Sequence, residues 1–247
     1  MQKNERFKDK VVFITGSAKW IGRAIWLQFA KDWAKVVINY LYSWNEALKT
    51  VSDIKEYSDW IAIQGDVSDE KQVKKMIKET IKKFWRLDIL VNNAWWYIDW
   101  DEWNGTSDIW ERTLRHNLIS VMNTSKYATE IFIKQKSWVI VNIASRHALS
   151  WHFYELAYSA SKAWIVSVTQ SYSKLLMPFW RANSICPWPT NSGYWFYAPK
   201  EELEATIEAS PYKRLLEPDE IASTVLYLAS DEASMITWQN LLIGWGR

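Results

Sequence analysis

Val11-Val12-Phe13-Ile14-Thr15-Gly16-Ser17-Ala18-Lys19-Trp20-Ile21-Gly22 reads as a buried strand, a tight turn and the start of a helix. Val11 to Thr15 is a β-branched apolar run without polar alternation, the pattern of a strand covered on both faces in a parallel sheet. The helical stretch that follows runs from about Ile21 to Lys31. Such a turn lets backbone N–H groups and the positive end of the helix face a pyrophosphate. Alone, it is equally a plain strand-to-helix connection. Only Gly16 and Gly22 are glycine, and Trp20 stands in the middle position.

Outward from this junction the same alternation repeats. KVVINY ends a second strand at Tyr40, with a helix-like segment from Asn45, and Trp60 to Gln64 is a third strand. After it Val73, Met76, Ile77 and Ile81 recur at helical spacing with lysines opposite, and Asp69 and Glu70 suit that helix's N-terminus. LDILVNN and WVIVNIAS are further strands, with a helical stretch from about Asp108 to Ile133 between them. A long helix covers roughly Tyr154 to Met177, RANSIC is a sixth strand, a helix starts at Pro218 and reaches about Ala229, and QNLLIG is the seventh strand. Strands alternating with helices predict an α/β fold: one doubly wound parallel sheet of Rossmann type, about seven strands, helices on both faces, spanning 1–247 as a single domain. In such sheets ligands sit beyond the C-terminal strand ends, and the chemistry-bearing residues cluster there.

The chain has 247 residues, with 30 basic and 28 acidic side chains and a formal charge of +2. That balance gives no electrostatic reason to expect nucleic acid or an anionic membrane as partner. The single cysteine, Cys186, cannot form an internal disulfide, which fits a reducing compartment. The first residues lack the apolar core of a secretory signal, and no apolar run approaches the roughly 18 residues of a membrane span. The expected location is cytoplasmic. His116, His147, His152 and Cys186 show no metal-ligand spacing, so no metal is expected.

Tyr158-Ser159-Ala160-Ser161-Lys162 places a phenol and an ammonium on one helix face. A free phenol has a pKa of about 10 and is a poor base near neutrality; a nearby cation lowers that value and poises it for acid–base work. By itself the pair is an ordinary Tyr and Lys on a helix. Its company is what changes the reading. TGSAKWIG, Asp66-Val67, Asn92-Asn93-Ala94, Asn117, Ser145, Tyr158 with Lys162, and Cys186-Pro187-Trp188-Pro189-Thr190 follow one another in order. Together they resemble the short-chain dehydrogenase/reductase family over essentially the whole chain, in general look its 3-oxoacyl-acyl-carrier-protein reductases. The Ser-to-Tyr separation, 158 minus 145 or 13 residues, is the family's usual one.

The resemblance implies a hydride transfer between a nicotinamide and a carbonyl or alcohol. Tyr158 would exchange a proton with the substrate oxygen, Lys162 would lower the Tyr pKa and bind the nicotinamide ribose, and Ser145 would hydrogen-bond the substrate oxygen. Asn117 would hold a water in a proton relay. Gly16, Ser17, Lys19, Ile21 and Gly22 would meet the phosphates, Asp66 and Val67 the adenine, Asn93 and Ala94 a ribose, and Pro187, Thr190 and Ser192 the nicotinamide. The second strand ends Ile38-Asn39-Tyr40-Leu41 with no acid to hold a ribose 2′-OH, while Lys19 is placed to meet a 2′-phosphate. NADP(H) is therefore expected over NAD(H). Small-molecule carbonyls, including 3-oxoacyl thioesters, are the expected substrates; sugar or secondary-alcohol dehydrogenation, and a catalytically silent binding subunit, are alternatives. The aromatic stretch at about 193–216 would form a lid. Relatives imply a homotetramer or homodimer.

One feature breaks the pattern. The chain has 19 Trp and 7 Gly, where the usual frequency would give roughly 17 Gly. Trp20, Trp95, Trp188 and Trp245 stand at family glycine positions, and Trp33, Trp85, Trp138, Trp180 and Trp238 at turns where relatives commonly have glycine. Glycine there supplies positive φ or close backbone approach. Either these tryptophans replace glycines of the naturally selected molecule, or the chain is a variant that folds but binds cofactor weakly. The one-way direction of the exchange favours the first.

Overall fold

A computed structural model describes residues 5–43, 45, 58–96, 101–136, 138–150, 155–175, 177–178 and 180–245. Seven parallel strands form one sheet: β1 Val11–Ile14, β2 Lys35–Tyr40, β3 Trp60–Gln64, β4 Ile89–Asn92, β5 Trp138–Ile143, β6 Trp180–Pro187 and β7 Asn240–Ile243. Their order is β3-β2-β1-β4-β5-β6-β7, so the strand order reverses between β1 and β4, where a doubly wound sheet opens a ligand crevice. All seven anticipated strands are present. The expected helix from Asn45 lies, beyond Asn45 itself, outside the described residues.

Side chains alternate across the sheet. Val12 and Ile14 of β1 join Ile25, Trp26 and Phe29 of helix α1 (Trp20–Lys31) and Ile221 and Val225 of a C-terminal helix (Pro218–Ala229) on one face. Val11 and Phe13 join Val73, Met76 and Phe84 of α2 (Glu70–Phe84) and Phe132 on the other. Each face buries its own apolar cluster, which explains why strands without polar alternation were legible. Asp69 caps α2 by accepting from the Lys71 and Gln72 N–H groups at 2.8 and 3.2 Å.

The single helix expected from Asp108 to Ile133 is broken. It consists of α3 (Ser107–Leu114), a π turn (Arg115–Ile119) and α4 (Ser120–Gln135). Asn117 sits in that turn, donating to the Trp96 and Thr113 carbonyls at 2.8 and 3.0 Å and accepting from the Trp96 N–H at 3.0 Å. The wider turn lets the side chain fasten the segment after β4 to the helix. The long helix is α5 (Leu156–Leu175), and a further helix, α6 (Lys200–Ala209), occupies the stretch expected to be a lid. Among the described residues no helix is long and apolar enough to cross a membrane.

Four of the unusual tryptophans are left-handed: Trp20 (φ 52°), Trp33 (68°), Trp85 (64°) and Trp238 (67°). Each costs about 1–2 kcal/mol relative to glycine. At these four positions the backbone itself asks for glycine, whereas Trp138 and Trp180, also expected at turns, open β5 and β6 and have no positive φ.

Candidate active site

Ser145 follows β5, an interior strand between β4 and β6, and Tyr158 and Lys162 lie one turn apart on α5, which packs beside it. Ser145 stands near enough to the Tyr158 phenol to lower its pKa. Lys162 Nζ lies 5.5 Å from the Tyr158 ring centroid and donates to the Ile143 carbonyl at 3.1 Å. All three line a cleft of about 290 Å³, together with Ile21, Asn93, Pro187, Thr190 and Ser192. The predicted pair therefore shares a face, and it faces the first strand–helix junction.

The helix carrying the pair is fixed from below by a residue that sequence reasoning missed. Asp101, 3% exposed, accepts from the Ala157 and Tyr158 N–H groups at 3.0 and 2.6 Å. It caps α5 from a segment 56 residues upstream. No local pattern announces a cap that comes from elsewhere in the chain. Burial raises the Asp101 pKa, against the two backbone donors that lower it.

Electrostatically the pair differs from the simple expectation. The phenol stands above its ordinary pKa, first through burial and next through the Glu155 carboxylate, with the Ser145 hydroxyl opposing both. Burial pushes the Lys162 ammonium down to about 8. Lys162 is 2% exposed, so it titrates near the pH at which a proton carrier is useful. Cys186 beneath it is buried, its thiol pushed up to about 11 by desolvation, which makes it unreactive.

A second cleft, about 230 Å³, is lined by Gly16, Lys19, Asp66, Val67 and Ala94, with Trp20, Trp96 and His116. Trp95 lines both clefts, and its indole lies 6.5 Å from that of Trp20. Three predicted residues face neither. Ser17 is fully buried and donates to the Ile14 carbonyl at 2.8 Å. Gly22 is packed so that a Cβ would meet Asn93 at 2.6 Å and the Gly16 carbonyl at 2.7 Å. Asn117 is spent on the π turn. His147 lines the first cleft and His152 lies outside the described residues. Among the described residues no cluster of His, Cys, Asp and Glu could hold a metal ion.

These residues fit a dinucleotide at its two ends. The helix α1 starts without any side-chain cap, leaving its positive end available to an anion. A cation stands in the second cleft and a hydroxyl–phenol–ammonium cluster in the first. The fit is poorest between them, where two indoles stand.

The chain belongs to the short-chain dehydrogenase/reductase family: a family model described as enoyl-(acyl carrier protein) reductase matches residues 16–246. It is an oxidoreductase acting on a carbonyl or CH–OH group. It is 33% identical over 239 residues to 3-oxoacyl-[acyl-carrier-protein] reductase FabG of Staphylococcus aureus, covering 96% of this chain and 97% of that protein. Among solved structures it resembles a 3-oxoacyl-[acyl-carrier protein] reductase with bound NAD from Brucella melitensis, with TM-score 0.88, 27% identity and coverage of 98% and 92%. Levodione reductase matches with TM-score 0.92 and 26% identity over 97% of each chain.

Proposed function

We propose that the chain is an NADP(H)-dependent carbonyl reductase whose substrates are 3-oxoacyl thioesters. The observation that carries this reading is the convergence of Ser145, Tyr158 and Lys162 in one cleft. When bound, the nicotinamide supplies the hydride. The Tyr158 phenol gives its proton to the substrate oxygen, and the Ser145 hydroxyl hydrogen-bonds the same oxygen as charge grows on it. Lys162 holds the nicotinamide ribose and carries a proton back to Tyr158. Lys19, Asp66, Val67, Asn93 and Ala94 hold the adenosine half, and Ile21, Pro187, Thr190 and Ser192 the nicotinamide half. Residues 193–216, with Tyr194 and Trp195 on the cleft wall, act as its lid.

The preference for NADP(H) rests on two features of the second cleft. The end of β2 offers no carboxylate: Asn39 there accepts from the Gly16 N–H at 3.0 Å and donates to the Gly65 carbonyl at 3.0 Å. Lys19 lines the same cleft, and a cation there favours a 2′-phosphate. Dehydrogenation of a sugar or secondary alcohol is the competing reading, favoured by the polar wall that His147, Glu155 and Glu202 give the first cleft.

A panel of ketoacyl thioesters, sugars and simple ketones, each assayed with NADPH and NADH, tests these assignments. Fastest turnover is expected with a 3-oxoacyl thioester and NADPH. Turnover confined to sugars, or to NADH, overturns the respective part. Cofactor binding without turnover on any substrate class identifies a silent subunit.

A further inference from the structure

We propose that Arg146 is a specificity-determining residue whose guanidinium binds a carboxylate carried by the carbonyl substrate, so that the cleft also accepts 3-oxo acids. This adds a substrate class to the thioesters, and it rests on the reading of this cleft as the place of reaction.

Arg146 follows Ser145 directly and lines the same cleft as Ser145, Tyr158 and Lys162. Its backbone is pinned in the short 3-10 turn Arg146–Ala148. The Ser145 side chain accepts from the His147 N–H at 3.2 Å, and the Arg146 carbonyl accepts from the Leu149 N–H at 2.9 Å. The guanidinium lies over the Trp188 indole, 4.6 Å from the ring centroid, where cation–π attraction holds it. A donor fixed at its root and resting on a ring loses little freedom when a ligand arrives.

The other charged groups of the cleft are already engaged. Glu155 is in contact with His147, Lys162 donates to the Ile143 carbonyl at 3.1 Å, and Glu202 accepts from the Tyr194 hydroxyl at 2.6 Å. Among the described residues the Arg146 guanidinium has no hydrogen bond and no ion pair. It is nevertheless partly buried, and a charge withdrawn from water without a partner is disfavoured. An anion in the cleft supplies that partner. A carboxylate fits best, because a planar guanidinium grips both its oxygens through two charge-assisted hydrogen bonds. Charge does not oppose its entry: the carboxylates of Glu155 and Glu202 are matched by the cations of Arg146 and Lys162, and Glu202 stands exposed to solvent. In a cleft of about 290 Å³, Arg146 and Ser145 fall within reach of one small molecule.

Calorimetric titration of the full chain, alone and with NADP+, tests this without turnover. The probes are 3-oxobutanoate and its neutral methyl ester, which share one carbonyl skeleton. Wild type is expected to bind the acid more tightly than the ester. Arg146→Met keeps the stem on Trp188 and removes the charge; its affinity for the acid is expected to fall about ten- to a hundredfold, with ester binding unchanged. No preference for the acid in the wild type overturns the proposal. So does an unmoved acid affinity in R146M protein that melts cooperatively; a loss of NADPH affinity there would assign the guanidinium to a cofactor phosphate instead. Should R146M not fold, Arg146→Gln carries the same test with the same expected fall. Acid binding that depends on Arg146 without turnover of any carbonyl supports the proposal and counts against the reductase reading. Turnover of thioesters with no preference for the acid does the reverse, so the two failures are separable.

Discussion

The two halves of the crevice are built from different materials. At the reaction end, function resides in side chains: a hydroxyl, a phenol and an ammonium, all present and gathered in one cleft. At the phosphate end, function resides in backbone, since a helix N-terminus binds an anion only where the chain can approach it closely. There Trp20 and Trp95 stand at positions where the family resemblance leads one to expect glycine, their indoles 6.5 Å apart. Nearby, the Trp188 and Trp95 indoles so crowd Gly244 and Gly193 that neither glycine has room for a Cβ. Chemistry carried by side chains tolerates glycine loss elsewhere. Binding carried by backbone is expected to be the more sensitive to it.

The comparison breaks most sharply at the reaction end. Tyr158→Phe is expected to lower turnover with NADPH by about a hundred- to ten-thousandfold, the usual contribution of a positioned acid, while circular dichroism shows an unchanged fold. Retained activity would remove the phenol from the mechanism. A smaller effect is expected at the phosphate end. Trp20→Gly clears an indole and relieves a left-handed residue, so NADPH affinity measured by calorimetry should rise at least about tenfold, or roughly 1.4 kcal/mol. Equal affinity in wild type and W20G would show that the indole does not stand in the phosphate path.

How far the sequence could be read follows the same division. The inner strands were legible because each is a short apolar run covered on both faces, and the half-buried edge strands β3 and β7 because they keep the same apolar run. The Tyr158–Lys162 pair was legible because four residues along a helix is a fixed geometry. What escaped was long-range or backbone in origin. Asp101 caps α5 across 56 residues, and the π turn at Asn117 interrupts what reads as one amphipathic helix. Ser17 lies in the phosphate motif, but its hydroxyl turns inward to Ile14, a direction that no residue spacing encodes. The α6 helix hid in a stretch without apolar periodicity: it buries no residue. The raised phenol could not be foreseen from the helix alone, since Lys162 is visible at i+4 but the burial and the Glu155 carboxylate that raise it depend on the fold.

The smallest effect separates backbone strain from cofactor binding altogether. Trp85 ends α2 with φ 64°, its N–H donating to the Ile81 carbonyl at 2.8 Å, the position where a helix commonly places a left-handed glycine. Its side chain is 85% exposed, so truncation forfeits little apolar burial, and it lines neither cleft. Trp85→Gly should therefore stabilise the fold by about 1–2 kcal/mol, offset in part by the greater freedom of glycine in the unfolded chain. For a domain of this size that is a rise of a few degrees in Tm, about 2–4 °C per kcal/mol, readable by calorimetry, with NADPH affinity unchanged. A rise in Tm without a change in affinity at Trp85, set against a change in affinity at Trp20, would place the two costs of the missing glycines in separate parts of the molecule. An unchanged or lower Tm in W85G would mean that the left-handed cap carries no strain that glycine relieves.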